Sequence, residues 1–130
     1  MAIATSFLDE RVNIVTAKLD DAWMRDTGPT FVRTTGKTVS AVNWVFNGWG
    51  AQDWASWKND NLVAPTVAAA TGVSVIASPL VNEGGGIHVN GAGTILLTET
   101  VQLDPGRNPD WSKKDVENEL RRTLGVQRFI

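Results

Sequence analysis

The sequence of 130 residues contains no cysteine. Disulfides, thiolate metal sites and a cysteine nucleophile are therefore excluded from these residues. There is a single histidine, His88. A multi-histidine metal site cannot form, and no cofactor is expected. No apolar run approaches the ~20 residues of a membrane-spanning helix. The opening residues, MAIATSFLDE, lack the basic start and apolar stretch of a secretory signal. Neither sign of charge dominates: the net charge is −2, with acids and bases mixed along the chain. The basic face that nucleic-acid binding requires is missing. These absences predict a soluble, cytoplasmic protein that engages neither membrane nor nucleic acid.

What is present is an ordinary globular balance, 42% hydrophobic and 20% charged residues. The length suits one domain. Six tryptophans are many for this length, and five of them lie between Trp23 and Trp57.

The apolar pattern predicts an α/β (α+β) chain. Val12 and Ile14 alternate with polar neighbours, so residues 11–19 read as a strand. Residues 30–35 and 38–47 read as a hairpin turning at Thr35-Gly36-Lys37, with Trp44 and Phe46 on one face. After a loop rich in Gly, Asn and Trp, a helix is predicted from about Asn61 to Thr71. Asn59 or Asp60 would cap it and Gly72 would stop it. A strand follows at 73–81. The order then recurs. Residues 86–90 and 94–99 form a second hairpin across Asn90-Gly91-Ala92-Gly93. A polar loop leads to Ser112, the predicted N-cap of an amphipathic helix in which Val116, Leu120 and Leu124 share a face. Gly125 would end that helix, and VQRFI would begin a strand.

This is an internal repeat of hairpin, loop, helix, Gly-Val and strand. Gly36 corresponds to Gly93, and Gly72-Val73 to Gly125-Val126. With the hairpin turns in register, Asp26 falls on Glu83. Each unit thus brings an acid, near glycine, to the start of its hairpin. Two pseudo-symmetric units would aim these carboxylates at a shared axis. The expected organisation is one partial domain over 1–130, with an extension at 1–10, a first module at about 11–81 and a second at about 82–130.

Four ordered stretches carry a family resemblance. DDAWMRDTGPTFV (Asp20 to Val32) resembles the WxRDxGP motif of the agmatine deiminase and bacterial peptidylarginine deiminase family. NWVFNGWG (Asn43 to Gly50), NEGGGIHVNGAGTILLTE (Asn82 to Glu99) and RNPDWSKKDVENELRRTLGV (Arg107 to Val126) match the same family in order. The second and third stretches point to the agmatine branch. The resemblance implies a pentein fold, five ββαβ modules around a pseudo-fivefold axis, with the active site at their junction. It also implies hydrolysis of a guanidine to a ureido group and ammonia. In the agmatine branch, the product is N-carbamoylputrescine, on the route to putrescine. A cysteine thiolate attacks the guanidinium carbon, and a His-x-Asp pair supplies acid–base chemistry. Two further acids grip the guanidinium, and their motifs map onto Asp26 and Glu83. Carboxylates suit that task because a guanidinium is a planar fork of N–H donors.

The cysteine and the His-x-Asp motif have no counterpart in these residues. The chain matches about two modules of five, and no complete catalytic set is expected in it. Alone it is predicted to be inactive. His88 lies inside the second acid's motif, but its place in a strand predicts a structural or supporting role. The tryptophans read first as packing residues, with Trp23 and Trp49 best placed to line a cation site. The glycine run at 84–86 has no following Lys-Ser/Thr and follows an acid, which argues against a phosphate loop. Two other outcomes are expected to compete with an enzyme fragment. One is a non-catalytic module that binds agmatine, another guanidine or a polyamine weakly. The other is a homo-oligomer, in the simplest case a dimer, formed through open module flanks.

Overall fold

The computed structural model describes residues 2–130. Two three-stranded sheets repeat one plan. In the first, β1 (Thr30–Arg33) pairs antiparallel with β2 (Val39–Val45), and β2 pairs parallel with β3 (Ser74–Val81). In the second, β4 (Ile87–Val89) pairs antiparallel with β5 (Thr94–Leu97), and β5 pairs parallel with β6 (Arg128–Phe129). A parallel return needs a crossover. α4 (Val63–Thr71) supplies it in the first unit; in the second, a one-turn α5 (Glu99–Gln102) precedes the crossover helix α6 (Lys113–Leu124). The repeat of hairpin, helix and strand is therefore real.

Turn chemistry explains the boundaries. Gly72 and Gly125 both take left-handed conformations (φ 67° and 68°) and close α4 and α6. A side chain would strain either position. Ser112 caps α6 in a full capping box with Asp115. Pro79 lies in β3, where it has no N–H for the ladder. The register slips there, from Asn43↔Ala77 to Val45↔Val81. That bulge delivers the strand end to Asn82 and Glu83.

One core joins both units. Val42, Trp44 and Leu80 of the first sheet pack with Ile95, Val116, Leu120 and Val126 of the second unit. Leu80, Ile95 and Leu120 are fully buried. Each contributes about 1.5–3 kcal/mol by leaving water. Ala41 alternates with Val42 and faces the other side, where Ala64 and Ala68 of α4 are buried. Polar contacts fix α6 on β3: Ser78 Oγ donates to Glu119 (2.7 Å), and Arg122 donates to the Ala77 carbonyl (2.8 Å).

Two expectations are corrected. Residues 11–19 form no strand; they run as exposed coil after α1 (Ala2–Phe7). The alternation of Val12 and Ile14 is real, but among the described residues no strand pairs with it. An unpaired strand has no ladder to hold it. Likewise, α4 begins at Val63 with no side-chain cap, after a 3-10 turn at Asp60–Leu62. Buried Asp60 turns instead to the coil and accepts the Asp20 N–H (2.8 Å) and the Asp21 N–H (3.1 Å). Asp20 answers by accepting from the Asn59 backbone and side chain (2.6 and 2.7 Å). These bonds hold its carboxyl below the usual range, the Asn59 backbone N–H most of all.

Candidate functional site

Asp26 sits in a one-turn helix, α2 (Met24–Thr27), which Gly28 and Pro29 end by entering β1. Its side chain is half-buried, and both oxygens have protein donors. The Trp49 indole Nε1 donates to Oδ2 (3.1 Å), and the Gly85 N–H donates to Oδ1 (2.9 Å). The second donor comes from the 3-10 turn at Gly84–Gly86, which opens the other unit. A Cβ at Gly85 would overlap Asp26 Oδ1, and one at Gly84 would overlap the Arg25 carbonyl. The glycine run is thus a close backbone approach to a carboxylate. Each Asp26 oxygen keeps a lone pair for another donor.

Trp49 reaches Asp26 from an unusual turn, α3 (Gly48–Ala51). Four successive residues there have positive φ: Gly48 69°, Trp49 60°, Gly50 94° and Ala51 57°. For Trp49 and Ala51 this costs about 1–2 kcal/mol per residue. Asn47 stabilises the turn: its Oδ1 accepts the Gly50 N–H, and its Nδ2 donates to the Gly106 carbonyl (both 2.9 Å). The Trp49 ring is the hub of an aromatic cluster. Phe46 and Trp23 meet it edge-on at 5.0 and 6.3 Å, and Trp54 stacks on it at 5.4 Å. Trp23 is 55% exposed and Trp54 71% exposed. The expectation that the tryptophans serve as packing therefore holds for buried Trp44 but not for Trp54.

Glu83 is buried and already holds a guanidinium. Arg107 Nη2 and Nε lie 2.5 and 3.1 Å from Oε1, and Nε is 3.3 Å from Oε2. Behind the pair is a buried amide network. Gln102 donates to Asn82 (2.9 Å), and Asn108 donates to the carbonyls of Val81 and Gln102 (2.9 and 3.0 Å). The expected site residues Asp26, Trp49 and Trp23 are brought together. Glu83 joins them through Gly85, two residues along the chain.

Sequence reasoning missed Arg107. It stands in a matched stretch, but nothing in a polar loop marks one arginine as the partner of an acid 24 positions away. A wide cleft of about 950 Å³ does not open on the two acids. It runs beside them between the hairpins, lined by Phe31, His88 and Leu96 among others. His88 faces Leu96 across β4 and β5 on the exposed side of that sheet. Among the described residues, no His/Cys/Asp/Glu group is placed to hold a metal, and no helix is long and apolar enough to cross a membrane.

Comparison with known proteins gives a consistent picture. The model of the Porphyromonas-type peptidyl-arginine deiminases matches residues 1–130. A Streptomyces coelicolor protein named as an agmatine deiminase is 56% identical, over 99% of this chain and 38% of its own length. A Streptomyces avermitilis protein of the same name is 50% identical, over 99% of this chain and 37% of its own length. The solved agmatine deiminase of Enterococcus faecalis superposes with a TM-score of 0.88 at 34% identity, over 98% of this chain and 36% of that one. The chain thus spans little more than a third of the length of these relatives. Its two units are modules of the pentein fold that these relatives share.

Proposed function

This chain belongs to the Porphyromonas-type peptidyl-arginine deiminase family, and from that premise we propose that it forms the carboxylate wall of a guanidine-binding site of the agmatine deiminase type. The observation that carries the reading is the convergence of the Trp49 and Gly85 N–H groups on Asp26 where the two modules join, with Glu83 two residues before Gly85. A guanidinium presents N–H donors in one plane. Asp26 can accept two of them while Trp49 and Gly85 hold its plane fixed. Trp23, more than half exposed, offers a ring to the cation and to an alkyl tail, and Trp49, with Trp54 stacked on it, holds Asp26 through its indole N–H. Holding the guanidinium from two sides would fix its central carbon for attack. In a full deiminase the reaction is hydrolysis of agmatine to N-carbamoylputrescine. These residues include no cysteine, so their part is binding and orientation. Serine, threonine and water are weak nucleophiles toward a guanidinium. The 130-residue chain by itself is expected to release no ammonia from agmatine.

Calorimetry with agmatine tests the reading. Partly exposed ion pairs add only about 0–1 kcal/mol each, so the expected affinity is millimolar or slightly better. Asp26→Asn and Glu83→Gln should each abolish the signal. Unchanged affinity in both variants removes the guanidine site.

A second reading has its own support, and both can hold at once. Phe31, Val89 and Leu96 line the large cleft and are between 42% and 52% exposed. Apolar surface of this kind favours association. A homo-oligomer, in the simplest case a dimer, is expected in light scattering at micromolar concentration. A clean monomer mass overturns it.

A further inference from the structure

We propose that Arg107 is the positioning residue of the carboxylate wall, one guanidinium that orients Glu83 and also holds the Trp49 turn against Asp26. This rests on the guanidine-binding reading of those two acids.

Arg107 works in two directions. Toward Glu83 it donates through Nε and Nη2, with Oε1 taking both short contacts (3.1 and 2.5 Å). Oε2 takes only the long Nε contact of 3.3 Å, so it is the oxygen with capacity left for a ligand. The Arg107 side chain is 11% exposed and that of Glu83 6%, so solvent does not loosen the pair. In the other direction, Nη1 lies 3.7 Å from Asp104 Oδ1 and packs under Gly50. A Cβ at Gly50 would come within 3.2 Å of Nη1 and 2.8 Å of Asp104 Oδ1. The same Asp104 oxygen accepts the Gly106 N–H (2.8 Å), and Gly106 backs onto the Gly50 carbonyl while its own carbonyl takes Asn47 Nδ2.

The loop at 104–107 is therefore the floor on which the left-handed turn rests. Trp49 needs that floor because its positive φ is costly. With the turn in place, the Trp49 indole N–H is aimed at Asp26. One side chain thus couples the acid of the second module to the aromatic partner of the first. A lysine cannot do this, since an ammonium is a point charge without a planar fork.

The test uses the 130-residue chain as wild type, Arg107→Ala and Arg107→Lys. Two readouts are taken: agmatine affinity by calorimetry, and the NMR resonance of the Trp49 indole N–H. Both variants should shift that resonance and weaken agmatine binding about tenfold or more. Added ethylguanidinium should return the resonance of Arg107→Ala toward its wild-type position, and ethylammonium should not. A folded Arg107→Ala with unmoved resonance and unchanged affinity overturns the proposal. If that variant fails to fold, Arg107→Lys decides. Wild-type resonance and affinity in it would show that a charge suffices and the fork does not matter. If wild-type chain binds no agmatine, yet the resonance moves and ethylguanidinium restores it, the positioning role stands and the guanidine reading falls.

Discussion

The two modules share one plan and one acid each, yet they hold their acids by different chemistry. Asp26 is half-buried between neutral donors, an indole N–H and a peptide N–H. Glu83 is buried against a full positive charge. Each arrangement crosses the module boundary. Asp26 takes a donor from the second module, and the loop that carries Arg107 supports the Trp49 turn of the first. The repeat fixes where the acids stand, while the loops between repeated elements decide what holds them.

The sharpest way to break this comparison is to remove each acid. Glu83→Ala leaves the buried Arg107 guanidinium with only its longer contact to Asp104 (3.7 Å). Such losses cost about 3–5 kcal/mol. Asp26→Ala orphans two neutral donors nearer solvent, which costs about 1–3 kcal/mol. Urea midpoints at constant slope measure both. Equal losses would show that the two sites are not held differently.

The shared core offers a second break. Leu120 is fully buried, in a cluster with Val42 and Leu80 of the other module. Leu120→Ala should cost about 2–5 kcal/mol. Hydrogen exchange should accelerate in β2 and β3 as well as in β5. Acceleration confined to β5 would mean that the modules open independently.

The helices differ next. α6 has its capping box and ends with Arg121 and Arg122, whereas α4 has no side-chain cap and no charge in either end turn. Ser112→Ala should lower stability by about 1 kcal/mol. Asn59→Ala should not act as a cap loss at α4, because its side chain serves Asp20 instead. Helicity of the 112–125 and 59–72 peptides by circular dichroism checks the ranking.

These differences also show what a sequence can disclose. The hairpins, the stop glycines 72 and 125, and the Ser112 cap were legible because each depends on local chemistry. Repeat register and motif singled out Asp26 and Glu83, and the structure brings Asp26 against Gly85, two residues after Glu83. Residues 11–19 were misread because alternation reports a face, not a partner strand. Asp60 was misread because capping competes with bonds to a segment 40 positions away. The left-handed Trp49 turn and the Arg107 pair are tertiary. Nothing local predicts a tryptophan at positive φ.

The smallest expected effects come with acid, and they test whether each module's fastenings are electrostatic. In the second module, Arg122 foremost, then Ser78, holds the Glu119 carboxyl below its ordinary value of 4.5. The Ser112 hydroxyl, then its N–H, holds Asp115 below 3.8. At the first module, the Asn59 backbone N–H foremost holds Asp20 below 3.8 and so ties down the coil before α2. A carboxyl whose folded value is depressed binds protons more readily when unfolded. Its stabilising contribution is therefore whole above the ordinary value, and it is lost as pH falls through the folded one. Stability should be level from pH 7 to about 5, then fall below about 4. Glu119→Gln and Asp115→Asn should each start lower at pH 7 and fall less steeply in acid. Asp20→Asn should flatten the acid response of the coil's proteolytic protection while leaving the exchange of α6 unchanged. Thermal midpoints between pH 3 and 7 read the first pair, and limited proteolysis reads the third variant. A Glu119→Gln protein with the full wild-type acid slope would show that the α6–β3 fastening is not set by that ion pair. The difference between the modules would then rest on packing alone.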